Sequence, residues 1–220
     1  MDYSGGPYYW GGLASKSGSL IAKALPKSGN RVYTVETPPA IEPVTLDELK
    51  AFSRIGYTSE DILLEGFITA ARMAAEEYTG RAFITQTIRM EMDYWPGTVI
   101  DLPKPPLISV TEVMTVDEDD EETEYDSDNY YVITTSTPGR LILKQSVVGP
   151  VNTARNYGGF LIRYKVGYSN FRDDIPGPIK EGIKVWASII QATRTIDPKN
   201  PPPEAAIFLD LYRIVGVTIR

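Results

Sequence analysis

Residues 76–93, EEYTGRAFITQTIRMEMD, change hydrophobic period within three residues. Up to Tyr78 the apolar side chains recur every three or four positions, the spacing of one helix face. From Ile88 they alternate: Ile88, Met90, Met92 and Tyr94 are interleaved with Arg89, Glu91 and Asp93, the spacing of a half-buried strand. Gly80 stands between them, where a helix usually ends in a left-handed residue. Thr79-Gly80-Arg81 is therefore a joint between a helical part and a β part, and any fold for this chain must contain both.

Upstream of the joint the sequence is helical. In PVTLDELKAF, Thr45 and Glu48 have capping-box spacing, and Val44 with Leu49 fits a hydrophobic staple. This predicts a helix that stops near Ile55-Gly56. A second helix follows, with Thr58 or Ser59 as its expected cap. Its buried stripe reads Leu64, Phe67, Ile68, Ala71, Ala75 and Tyr78. Downstream the alternation predicts strands over 85–94, 108–116, 130–135, 140–144 and 160–168. Thr137-Pro138-Gly139 supplies a turn between the third and fourth of these. Helix returns after Ile175-Pro176, with Ile179, Ile183, Trp186, Ile189 and Ile190 on one stripe. Pro203 opens a last helix, expected to turn Ile207, Phe208, Leu211 and Tyr212 inward.

The order is helix, helix, strands, helix, helix. The expected fold class is α+β: a helical bundle formed by the N- and C-terminal helices, with an inserted antiparallel β region. The expected organisation is an extended N-terminal arm over 1–42, the first bundle helices over 43–83, the β region over 84–168, the last bundle helices over 169–214, and a tail over 215–220. The arm is rich in Gly, Ser and aromatics, and on its own cannot bury enough surface to offset chain entropy. Tyr8, Tyr9 and Trp10 in GGPYYWGG are its expected anchors on protein neighbours. The tail alternates Val215, Val217 and Ile219 with Gly216, Thr218 and Arg220, a strand pattern suited to edge pairing with another chain.

Composition narrows the chemistry. The chain has no cysteine and no histidine, so disulfides, Cys/His zinc sites and Cys or His nucleophiles and bases are excluded. Neither a Gly-rich phosphate loop nor a GxSxG elbow occurs. Ser127-Asp128-Asn129 matches one β-lactamase motif, without the Ser-x-x-Lys and Lys-Thr-Gly that should accompany it. Glu76 and Glu77, adjacent on a helix, point about 100° apart and make no catalytic pair. Arg81 and Arg89 are expected to pair with nearby acids. No catalytic residue, cofactor or metal is assigned.

The net charge of −7 is local. DEDDEETEYDSD, residues 117–128, holds nine of the 29 acids, and the remaining 20 face 22 Lys and Arg. Asp117, Asp119, Glu121 and Asp128 fall at calcium-loop offsets, but the obligatory glycine is Glu122. The plainer reading of Asp117, Glu118, Asp119, Asp120, Glu121 and Glu122 is a solvated loop between strands. There is no basic cluster to grip a nucleic-acid backbone. No apolar run reaches membrane-spanning length and no signal peptide is evident, which fits a protein made in the cytosol.

Four stretches together carry a resemblance: PVTLDELKAF, EGFITAARMAAEEYTGRAFITQTIRMEMDYWPG, IDLPKPPLISVTEV and VGYSNFRDDIPGPIKEGIKVWAS. In that order, over roughly residues 43–212, the chain resembles the head-tail connector (adaptor) proteins of tailed bacteriophages, in the branch with a β insertion that also occurs in gene transfer agents. The resemblance implies a structural virion protein without catalytic residues, made in the host bacterial cytoplasm and located in the neck. It implies a ring, usually twelve-fold, beneath the portal protein, with DNA passing through and a stopper or tail protein docking opposite. On that reading Val215, Val217, Ile219 and Arg220 would contact the portal, and the acidic loop would either line or guard the channel or face solvent on the outer rim. The alternatives are another neck or tail-completion (stopper) protein, or a glycan-binding module using Tyr3, Tyr8, Tyr9 and Trp10.

Overall fold

The computed structural model describes residues 31–145, 147, 149–150 and 154–214. The elements run β1 (Arg31–Thr37), α1 (Leu46–Ser53), α2 (Asp61–Thr79), β2 (Gln86–Met92), β3 (Val99–Leu102), β4 (Leu107–Val116), β5 (Glu122–Glu124), β6 (Tyr130–Ile133), β7 (Gly139–Leu143), β8 (Phe160–Val166), α3 (Gly177–Thr193) and α4 (Pro203–Leu209). The fold is α+β, and its paired strands are antiparallel. A five-stranded sheet has the order β1-β2-β8-β4-β5, and a three-stranded sheet the order β3-β7-β6.

Two cores follow from the two hydrophobic periods. Val44, just ahead of α1, and Leu49, Leu64 and Ile68 from the first helices pack with Ile179, Ile183, Trp186 and Leu209 from the last. The second core joins the two sheets. Ile88, Met90, Ile162 and Tyr164 of the larger face Ile100, Leu102, Leu141 and Leu143 of the smaller. The joint divides its side chains between them. Ala82 enters the sheet core, whereas Phe83 and Ile84 enter the helical core.

Local signals explain several boundaries. Thr45 Oγ1 accepts from the Glu48 backbone at 3.1 Å, and Glu48 accepts from Thr45 N–H at 2.7 Å, closing the capping box. Val44 and Leu49 are both buried beside it. Gly80 ends α2 at φ +70°, a conformation only glycine adopts freely.

Five expectations need correction. Residues 31–37, placed in the N-terminal arm by composition, form β1, because their alternation matches β2 and Tyr33 and Val35 find Met90 and Ile88 opposite. Neither Thr58 nor Ser59 caps α2; the helix is entered through Glu60 without a side-chain cap. β3, hidden behind Trp95-Pro96-Gly97, pairs with β7. The acidic run is not wholly loop, since Glu122–Glu124 pair with β4. In the last helix Ile207 and Leu211 are 70 % and 71 % exposed, and Ala205 and Leu209 point inward instead. That helix is only seven residues long and tightens into a 3₁₀ turn over Asp210–Tyr212, which rotates the later side chains away from the expected face.

Candidate assembly site

The joint is held by one buried polar network. Arg72 and Glu76 lie one helical turn apart, so both face the space between α2 and the larger sheet. Arg72 Nη1 donates to Glu76 at 2.8 Å, and Arg72 Nε donates to Glu42 at 2.7 Å. The other Glu76 oxygen accepts from the Phe83 backbone N–H at 2.9 Å and from Gln86 Nε2 at 3.1 Å. Burial pushes the Glu76 carboxyl above its ordinary range, against the pull of Arg72 and the Phe83 N–H. Every oxygen of this carboxylate is engaged, so it orients the first β residues rather than offering an acid or base to solvent.

The end of the described chain returns to the same joint. Ile214 N–H donates to Thr79 C=O at 3.0 Å, and Arg81 Nε donates to Tyr212 C=O at 2.6 Å. Tyr78 Oη donates to Asp210 at 2.5 Å, and the Arg213 guanidinium lies 4.5 Å from the Tyr78 ring centroid. Of the two arginines expected to pair with nearby acids, Arg89 does so with Glu91 at 2.8 Å, whereas Arg81 donates to a backbone carbonyl instead and holds the C-terminal segment. Lys104 reaches in from the Pro-rich segment, donating to Glu77 at 3.1 Å and to the Glu76 C=O at 3.4 Å.

Beside the joint lies a groove of about 410 Å³, walled by Tyr33, Val35, Pro38, Met73, Glu77 and Lys104. It adjoins a smaller cleft that Tyr33, Glu77 and Lys104 also line, together with Gly80 and Ile214. Sequence reasoning missed this groove because β1 was assigned to the arm. The alternation of Val32 to Val35 was the available signal.

The acidic residues sit at the tip of the β4–β5 hairpin. Asp117 Oδ1 accepts from the backbones of Asp119 and Glu121, at 2.9 and 3.0 Å, and shapes the turn. Asp120 adopts φ +64° there and pairs with Arg155. Glu122 shares Arg163 with Glu36 and Glu112, and the Glu112 hydrogen bond holds that guanidinium above its usual range. Glu118, Asp119, Asp120, Glu121 and Glu122 are exposed, and Asp117 is half-buried. Among the described residues no group of three or more acids is placed to hold a metal ion, and no helix is long and apolar enough to cross a membrane. Tyr8, Tyr9 and Trp10, and Val215, Val217, Ile219 and Arg220, lie outside the described residues.

Comparison with known proteins places this geometry. No curated protein matches the chain. Among solved structures, a chain in the neck of an empty gene transfer agent particle, computed with sixfold symmetry, is similar at a TM-score of 0.71 and 19 % identity, over 84 % of this chain and 97 % of that one. A chain in the virion of a native gene transfer agent particle matches at 0.70 and 19 %, with the same coverage. A chain in the neck of the native particle, computed with twelvefold symmetry, matches at 0.65 and 20 %. At these identities the likeness shows the fold. The sequence model of the phage gp6-like head-tail connector proteins matches residues 43–137, which span α1, α2 and the strands up to β6. The similarity to the phage gp6-like head-tail connector family thus extends over residues 43–137, a little under half of the chain.

Proposed function

We propose that this protein is a structural head-tail connector of a virion neck. In this reading it assembles into a ring beneath a portal protein, leaves a passage for DNA, and offers its opposite side to a stopper or tail protein. The observation that carries the reading is the connector-family match over residues 43–137, set in a fold shared with almost the whole length of a gene transfer agent neck chain. The twelvefold symmetry reported for one such neck makes twelve copies the ring size to test first.

The helices from the two ends act as one bundle, and the sheets project from it at the angle set by the Thr79–Arg81 joint. A closed ring needs two different patches that meet heterologously, and bundle and sheets supply two different faces. Val215, Val217, Ile219 and Arg220 contact the portal, and Tyr8, Tyr9 and Trp10 anchor the arm on a neighbour. The exposed acids of the β4–β5 tip face the passage, where they repel phosphate and keep DNA sliding.

Purified protein mixed with portal rings from the same source and imaged by negative stain tests the proposal. An added disc of density on the portal is the expected result. Clean separation, with the portal competent for its other partners, would overturn it.

A further inference from the structure

The groove beside the joint is an unfinished piece of core. Tyr33 and Val35 stand opposite Met90 and Ile88 in the β1–β2 ladder, and those two residues are wholly buried. Side chains opposite one another in a ladder lie on the same face of a sheet, so this face is buried along β2 and β8, at Ile88, Met90, Ile162 and Tyr164, and open at its β1 margin. There Val35 remains 51 % exposed. β1 is also the outermost strand of its sheet, with one edge unpaired among the described residues. An open edge beside an apolar groove is a template for an added strand.

A chain segment of the right kind begins at the mouth of this groove. Ile214 is fixed by its hydrogen bond to Thr79 C=O, lies over Gly80, and lines the cleft together with Tyr33. The next six residues are Val215-Gly216-Val217-Thr218-Ile219-Arg220. Their alternation puts Val215, Val217 and Ile219 on one face, and extended they reach about 20 Å. Glu77 at the groove wall is exposed and offers a carboxylate to Arg220. Tethering at Ile214 holds the segment near the groove at roughly millimolar effective concentration, far above the concentration of any second copy in a dilute sample.

We infer that residues 215–220 of the same chain dock in this groove, with Val217 and Ile219 laid over Tyr33 and Val35. The docked segment completes the margin of the sheet and withdraws its apolar face from other chains. The inference concerns the isolated chain and stands whether or not these residues later engage a portal protein.

The absence of native cysteine makes the test direct. Six single-cysteine variants, one at each position from 215 to 220, are alkylated with iodoacetamide and their rates compared. Cysteines at 215, 217 and 219 are expected to react at least about tenfold more slowly than those at 216, 218 and 220, because a docked segment must open locally before it reacts. Adding Val35→Asp to Val217→Cys should raise that slow rate to the fast level. Val32→Asp, on the opposite face of β1 and already 46 % exposed in the parent residue, should leave it slow. Equal rates at all six positions would overturn the inference. So would an alternation that disappears on dilution, which would assign the groove to a second copy.

Discussion

Replacing Glu76 by alanine should weaken the protein more than any single change at its surface. The carboxylate holds three partners at once: Arg72, the Phe83 N–H and Gln86. Phe83 is fully buried, so its N–H would be left without an acceptor, at a cost of about 1–3 kcal/mol. Arg72 is buried too, but it keeps Glu42, which holds its loss toward the lower end of the about 3–5 kcal/mol for breaking a buried pair. The combined expectation for Glu76→Ala is about 4–6 kcal/mol. Glu76→Gln preserves shape and an acceptor for Phe83 while turning an amide toward the Arg72 guanidinium, and should cost about 1–2 kcal/mol. Urea unfolding followed by far-UV circular dichroism measures both. A Glu76→Ala variant within 1 kcal/mol of the parent would refute the idea that this network holds the joint. The pH dependence supplies a sign. Burial raises the folded-state pKa of Glu76 above its unfolded value. The stability linked to its proton is therefore fully present below the unfolded pKa, and is lost as pH rises through the folded one. The advantage of the parent over Glu76→Gln should shrink as pH climbs from about 4.5; an advantage that grows would contradict the assignment.

Other changes probe other parts of the architecture. Gly167→Ala should cost upward of about 2 kcal/mol, since φ is +121° and a Cβ would stand 2.6 Å from the Ile84 backbone; a thermal midpoint equal to the parent's would argue against that packing. Thr45→Ala removes the capping hydrogen bond of α1 and should cost about 1 kcal/mol in the same urea assay. Changing Glu118, Asp119 and Glu121 together to Gln, Asn and Gln should alter stability by less than about 0.5 kcal/mol per site, because all three side chains are exposed. Lysine at those positions should make ring assemblies retain double-stranded DNA in a salt-dependent way, and unchanged retention would remove the acidic tip from the passage.

What could be read from the sequence was what nearby residues determine. The Thr45–Glu48 box, the glycine end of α2 and the stripe through Ile179, Ile183 and Trp186 depend on neighbours within a few positions, and each is present. β1 was missed because its partner β2 lies some fifty residues away, across two helices, and because Gly- and Ser-rich sequence precedes it. The orientation of Ile207 and Leu211 was misread because seven residues are too few for a face to be fixed by periodicity. The role of Glu76 was invisible for a different reason. Its acceptors are spent on Phe83 and Gln86, beyond a turn whose angle no local pattern specifies.

The order of the larger sheet has a consequence for how the chain is made. β8 lies between β2 and β4, yet follows both in the sequence, so the strand that joins them is synthesised last. Between the end of β2 at Met92 and the start of β8 at Phe160, a ribosome elongating at ~5–20 residues per second takes about 3–14 s. Until β8 is made, Ile88, Met90 and, once synthesised, Val113 have no Ile162 or Tyr164 beside them. The nascent chain therefore passes through a stage with two unjoined sheet halves and bare apolar strands, which is the kind of surface that chaperones bind and that aggregates at high expression. The stretch carrying the family match, residues 43–137, stops before β8. A fragment cut to that match would lack the strand that closes its own sheet, and should not fold alone.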